Sequence, residues 1–176
     1  MIYRRLMMLA VFLVLIISGC GYTTRSMIAD TYSTIYVSPV INKIDITNES
    51  YSGNKYRIYK PFVDTDIRQA LVDKFLSDGN LRPVTEGASD LILKSELVEF
   101  RKDALRYDKD DNVIEYRLNL VLNISLWDAK ENKLLWEENH FTGDTTYFTA
   151  QSDNEAIGKA LSDLSRRVVE RVVEEW

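Results

Sequence analysis

The stretch "LNLVLNISLW" (residues 118–127) decides the fold of this chain. Aliphatic residues occupy every even position of the stretch, and the odd positions hold Asn119, Val121, Asn123, Ser125 and Trp127. Side chains alternate between the two faces of a β-strand, so the pattern predicts a strand with one buried face. A sheet with one buried face needs a second layer of structure to cover it.

Two further extended segments flank this strand and predict a long antiparallel meander. Ser89–Tyr107 precedes it across the turn "DKDDN", and the segment 134–148 follows it across the turn "AKENK". The hairpins are longer than the usual strand length of about 5–6 residues, so their tips are expected to project beyond the covering layer. The apolar positions change parity between Leu97 and Val98, which predicts a β-bulge.

Two amphipathic helices are predicted, one before and one after the meander in the sequence. Between residues 60 and 81, Ile67, Leu71 and Phe75 lie four residues apart on one apolar face, and Gly79 suits the C-terminal end. The second helix is predicted over Asp153–Trp176, with Ser152 or Asp153 as its N-terminal cap. Its apolar repeat consists of Ile157, Leu161, Leu164, Val168 and Val172.

These elements give an α+β fold in the order β–α–β–β–β–α. The first strand is predicted at Thr34–Ile41, where Pro39 favours an edge or terminal position, and residues 42–60 are predicted to form a long polar loop. The expected architecture is a two-layer sandwich. Its mainly antiparallel four-stranded sheet, dominated by the long meander, is covered by the two helices.

The pattern of the first residues predicts a secretion signal that ends at a cysteine. Arg4 and Arg5 precede the apolar run Leu6–Ile17, whose 12 residues fall short of the roughly 20 that a membrane span needs. Cys20, the only cysteine, follows this run after the small residues Ser18 and Gly19. The junction resembles the bacterial lipoprotein signal, in which the cysteine receives an S-diacylglycerol group and the new amine is acylated. The alternative is a free or disulfide-forming cysteine, but the chain offers it no intramolecular partner.

We therefore expect a signal peptide at residues 1–19, a lipidated tether at residues 20–33 and a single α+β domain at residues 34–176. Two or more acyl chains hold a protein stably at a membrane. Position 21 is Gly rather than Asp, which in such lipoproteins permits transfer to the outer membrane. The expected location is the outer membrane, with the body facing the periplasm.

Charge and composition argue against nucleic-acid binding. All 27 acidic residues and 20 of the 22 basic ones lie after residue 19, so the mature chain carries a formal charge of −7. Without a basic block, nucleic-acid binding is not expected.

No catalytic site, cofactor or metal site is expected either. His140 is the only histidine, nucleophile-elbow and phosphate-loop motifs are absent, and Glu137 and Glu138 fall on opposite faces of a strand. The turn "DKDDN" opens like a calcium loop, but it lacks the Gly and Glu required at the sixth and twelfth positions. A solvated hairpin turn is the better interpretation.

One mild concentration of basic residues lies in the first arm of the long hairpin: Arg101, Lys102 and Arg106. The simpler interpretation is a solvated strand face with cross-strand ion pairs, such as Arg106 opposite Glu115. The alternative is contact with the anionic head group of a lipid.

The order of motifs along the mature chain resembles the LptE-type family of lipopolysaccharide-assembly lipoproteins of the outer membrane. The resemblance rests on "GCGY" after the signal, "TIYVSPVIN" as first strand, "LVDKFLSDGNLRPV" at the end of the first helix, and the whole meander. It implies an LptD-like β-barrel partner, whose lumen the lipoprotein plugs and whose assembly it assists, and contact with lipopolysaccharide during its delivery to the outer leaflet.

The acidic hairpin tip departs from what a lipid phosphate site needs, so Arg101, Lys102 and Arg106 are the candidate lipopolysaccharide contacts. Two other classes remain open. One is a structural or scaffolding cell-envelope lipoprotein, such as a secretion-complex accessory or an envelope tether. The other is an enzyme of unidentified type.

Overall fold

The computed structural model describes residue 28 and residues 31–44, 55–57 and 60–174, with only the backbone of 55–57 and 174. Cys20, the signal peptide and most of the tether lie outside the described residues. The elements in chain order are β1 (Thr34–Val37), β2 (Ile41–Asn42), β3 (Lys55–Arg57), α1 (Val63–Asp78), β4 (Arg82–Pro83), β5 (Leu91–Tyr107), β6 (Val113–Asp128), β7 (Lys133–Phe148) and α2 (Asp153–Glu174).

The predicted α+β class is confirmed, but the expectation of a mainly antiparallel four-stranded sheet was wrong. The strands form one mixed sheet in the order β4–β1–β5–β6–β7, with β2 and β3 also paired to β5. β1 runs parallel to both β4 and β5. The physical reason is the connection: α1 lies between β1 and β5, and a helical crossover returns the chain in the same direction. The structure also contains the short strands β2, β3 and β4, which the predicted element order lacks.

The long meander is confirmed. β5, β6 and β7 contain 17, 16 and 16 residues and pair antiparallel in sequence. The register shifts between Leu97 and Glu99, which confirms the bulge that the change of parity predicts. Two short strands, β1 and β2, replace the single predicted first strand, and Pro39 lies in the break between them.

Both helices cover the same face of the sheet, here called the helix face; the opposite one is called the free face. The even-numbered aliphatic residues 118–126 are at most 2% exposed and belong to one core with Leu71 and Phe75 of α1 and Val168 of α2. Gly79 ends α1 as predicted, with a φ of 82° and its N–H donated to the Phe75 carbonyl. The alternation is less strict on the free face, because Val121 is buried there as well.

No helix among the described residues is long and apolar enough to cross a membrane.

Candidate functional site

The three candidate basic residues do not form one patch. Arg101 and Arg106 pair with Asn119 and Glu115 of β6, whereas Lys102 pairs with Leu118. Because Asn119 and Glu115 share the free face and Leu118 faces the core, the two arginines project from the free face and Lys102 from the helix face.

Arg101 is held inside a polar network on the free face. Its guanidinium donates to Glu99 at 2.9 Å and to Asp103 at 2.6 Å, and Asn119 donates its amide to the same Asp103 carboxylate at 3.2 Å. Burial opposes the charge on Arg101, but the two carboxylates outweigh it and raise the pKa of the guanidinium. Arg101 is therefore paired with two carboxylates of its own strand.

Lys102 joins the hairpin to the start of α2. Its Nζ lies 4.1 Å from the centroid of the Tyr116 ring and 5.3 Å from that of Tyr147, and it contacts the Asp153 carboxylate at 3.0 Å. Tyr147 donates its hydroxyl to the same carboxylate at 2.6 Å. Burial opposes the charge on Lys102, yet Tyr147 and Asp153 raise its pKa on balance. Only 16% of the Lys102 side chain is exposed, so this cation stabilises the body.

Arg106 is the most accessible of the three. Its side chain is 59% exposed and forms the ion pair with Glu115 that the sequence predicts, at 2.8 Å. The guanidinium also lies 5.9 Å from the centroid of the Phe148 ring. Large apolar side chains are exposed around it: Leu105, Tyr107 and Phe148. This distal end of the hairpin is thus amphipathic, a feature that sequence reasoning missed although these residues flank a turn beyond the helices.

The tip itself is a self-contained turn. The Asp108 carboxylate accepts hydrogen bonds from the backbone N–H groups of Asp110 and Asn112. The hydrogen bonds that Asn112 donates lower the pKa of Asp108. Within the part of the chain that the structure describes, no cluster of acidic, histidine or cysteine side chains is arranged to hold a metal ion. The tip therefore forms a hairpin turn whose Asp108 carboxylate accepts hydrogen bonds from within the turn.

At the other end of the sheet, Asp90 fixes the point where the chain enters the domain. Its Oδ2 accepts hydrogen bonds from the N–H and hydroxyl groups of Ser33 and Thr34, at 2.9 to 3.1 Å. Its Oδ1 pairs with Lys130 at 2.7 Å. Lys130 and these donors hold the pKa of Asp90 well below its usual range. Sequence reasoning missed this cluster, because its members lie up to 97 positions apart and meet only in the fold.

A family model for lipopolysaccharide assembly, LptE, matches residues 32–175, which include the whole described domain from β1 to α2. The chain belongs to the LptE family. This confirms the resemblance in the motif order and places the protein in lipopolysaccharide assembly. LptE proteins are assembly lipoproteins rather than enzymes, which agrees with the expectation of no catalytic site. A search of curated proteins gave no match.

Solved structures share the fold of this LptE-family chain at low sequence identity. A Xanthomonas campestris protein superimposes with a TM-score of 0.56 at 12% identity, covering 81% of this chain and 84% of its own. A hypothetical protein from Chlamydia trachomatis gives 0.53 at 12% identity, covering 80% and 95%. PelC from Paraburkholderia phytofirmans, solved as a dodecamer, gives 0.50 at 12% identity, covering 87% and 96%. At such identities the likeness shows the fold alone.

Proposed function

We propose that this LptE-family protein is an outer-membrane lipoprotein anchored through Cys20, which assembles with and plugs an LptD-like β-barrel and helps deliver lipopolysaccharide to the outer leaflet. The observation that carries the proposal is the family match over residues 32–175. The signal-like segment before Cys20 supports the anchor, and the geometry of the long hairpin supports the contact with lipid.

The long hairpin extends away from the point where the anchored chain enters the domain. The chain enters the domain beside Asp90, directly before β5, and the tip lies at the far end of this 17-residue strand. At about 3.3 Å per residue the two ends are about 50 Å apart. β5 and β6 also continue past Asp153, where α2 begins, so the distal part of the hairpin lies beyond the helices. A plug anchored at one end therefore presents this distal part to the lumen or to the lipid.

The distal end combines a cation with exposed apolar surface, which supports the proposed contact with lipopolysaccharide. A lipid of this class carries anionic phosphates beside acyl chains, so its receptor needs cations next to apolar surface. Arg106 supplies an exposed guanidinium, and Leu105, Tyr107 and Phe148 around it are 45–50% exposed. All three candidates are paired with carboxylates, but Arg101 and Lys102 are only 24% and 16% exposed, against 59% for Arg106. We therefore propose Arg106 as the principal contact.

Affinity capture from native membranes tests the proposed function. We expect the tagged protein to bring down a β-barrel protein of several hundred residues together with lipopolysaccharide, and its intact mass to show a chain beginning at an acylated Cys20. The matched control is Cys20→Ala, which should accumulate as an uncleaved precursor and capture far less barrel. An acylated protein that captures neither barrel nor lipopolysaccharide would support the structural-lipoprotein alternative instead.

Replacing Arg106 tests the lipid contact separately. We expect Arg106→Gln to weaken binding of purified lipopolysaccharide roughly tenfold at low salt, since a charge-assisted contact is worth about 1.4 kcal/mol more than a neutral one. The difference in affinity between wild type and variant should shrink at high salt, because salt screens the charge of Arg106 in the wild type. The control is Arg82→Gln, which neutralises an exposed arginine in the edge strand β4, beside Ser33 and far along the sheet from the hairpin tip. Equal lipopolysaccharide affinity of both variants and the wild type would exclude Arg106.

A further inference from the structure

An apolar and aromatic row crosses the free face at the end where the chain enters the domain. The cross-strand register places Tyr36 of β1 beside Ile92 of β5, Ile92 beside Trp127 of β6, and Trp127 beside Leu134 of β7. Directly opposed residues project from the same face of a sheet, so the four side chains form one continuous row. We call it the aromatic row.

The aromatic row is accessible and distinct from the rest of its face. Tyr36, Ile92 and Trp127 are half-buried, and Leu134 is 37% exposed, with neither helix over them. The neighbouring positions toward the hairpin tip are polar: Lys94 opposes Ser125, and Glu96 opposes Asn123. Further along, Arg101 and its carboxylates occupy the face. Polar positions of β5 and β6 thus separate the aromatic row from the other exposed apolar side chains of this face, Ile41 beside Glu96 and Phe148 beside Glu115.

This end is also the one to which the tether leads. Thr34 and Asp90, which hold the incoming chain through hydrogen bonds, lie two residues before Tyr36 and Ile92 in β1 and β5. Residues 20–33 connect this point to Cys20, and fully extended they would span at most about 50 Å. Ile28 is buried in the core, which shortens this reach. An acylated Cys20 thus keeps the aromatic row within this distance of the membrane surface.

The chemistry of the row matches the membrane–water interface. Tyr and Trp combine an apolar ring with a polar group and are enriched at the level of lipid head groups. The Trp127 indole donates to Ser125 Oγ at 3.0 Å, and the Lys94 ammonium lies 4.2 Å from the centroid of its ring. Lysine can lay its methylene stem on apolar surface while its ammonium reaches phosphates.

We propose that the aromatic row, with Lys94, is a membrane-contacting site that lies on the head-group region of the bilayer holding the acyl chains. The inference rests on the lipid anchor of the proposed function. It orients the domain with one end of the free face against lipid and leaves the hairpin half of that face for the barrel partner.

Depth-dependent fluorescence quenching tests the orientation, because the chain has tryptophans on both faces. Trp127 lies on the free face, and Trp136 lies on the helix face opposite Leu126. We would reconstitute the full-length acylated protein into phosphatidylethanolamine–phosphatidylglycerol vesicles brominated high on the acyl chains. One variant, Trp136→Phe with Trp176→Phe, retains Trp127; the matched control, Trp127→Phe with Trp176→Phe, retains Trp136. We expect roughly twofold stronger quenching of Trp127 than of Trp136, as for an interfacial tryptophan.

Each other outcome contradicts the proposal, and the intact mass of the protein shows whether the anchor fails with it. Equal quenching of the two tryptophans, or an unquenched Trp127 in a protein whose mass shows acylation, overturns the membrane-contacting site and leaves the anchor intact. If Trp127 becomes shielded from solvent only when the barrel partner is added, the aromatic row contacts that partner instead. A chain without acyl mass overturns the anchor and, with it, this inference.

Discussion

Leu122→Asp should unfold the domain. Leu122 is fully buried at the centre of β6, between Leu97 of β5 and Phe141 of β7, and it faces the helices. A carboxylate placed there has no cation or donor to satisfy it. Such an unpaired buried charge costs well over 4 kcal/mol, against a total stability of about 5–15 kcal/mol for a domain of this size. Urea denaturation followed by circular dichroism should show little or no folded baseline.

The matched control lies one position away. Asn123 projects from the free face, and its Oδ1 accepts the His140 N–H at 3.0 Å. Asn123→Asp keeps that acceptor and adds a charge opposite Glu96, so we expect a loss of about 1 kcal/mol or less. Equal unfolding midpoints for Leu122→Asp and Asn123→Asp would refute the assignment of the two faces.

Gly143→Ala should destabilise the protein by about 3 kcal/mol, which lies at the upper end of the usual overpacking cost. Gly143 of β7 faces α2, and a Cβ added there would lie 2.6 Å from the Leu164 Cα and 2.8 Å from its backbone N. Those atoms belong to the helix backbone, so the clash is relieved only if α2 moves away from the sheet. That movement opens gaps around Leu120, which lies opposite Gly143 in the core. The expected result is a lower urea midpoint with a folded baseline retained.

Gly158 supplies the control for this glycine. It lies within α2, and an added Cβ would have no heavy atom within 4 Å. Alanine in a helix interior is favoured over glycine by about 0.5–1 kcal/mol, so Gly158→Ala should raise the midpoint slightly. The two Gly→Ala changes are thus expected to have opposite signs. A neutral Gly143→Ala would show that α2 does not pack tightly on β7.

Features that depend on local periodicity could be predicted from the sequence. The alternation through residues 118–127 gave the buried face of β6, and the apolar repeats gave α1 and α2. The change of parity after Leu97 located a bulge, and short-range pairing across the hairpin placed Arg106 opposite Glu115. Each of these follows from side-chain geometry within one element or between two adjacent strands.

Features that depend on non-local contacts could not be predicted from the sequence. The candidate cluster paired Arg101 with Lys102 because they are adjacent in sequence, but adjacent strand residues face opposite sides of a sheet. The neighbours of β1 depend on the path of the chain through α1. The exposure of Phe148 near the hairpin tip depends on where the helices stop.

The sequence by itself determined the α+β class, the two amphipathic helices, the meander and the motif order by which the LptE family is identified. These follow from patterns of burial that each element carries in its own residues. Only the tertiary structure decided which strands are neighbours and that Gly143 lets α2 pack closely on β7. It also decided that Asp90 accepts hydrogen bonds from Ser33 and Thr34. The same holds for the single row formed by Tyr36, Ile92, Trp127 and Leu134. The physical reason is that these residues belong to separate elements, and only the register and packing of the folded sheet bring them into contact.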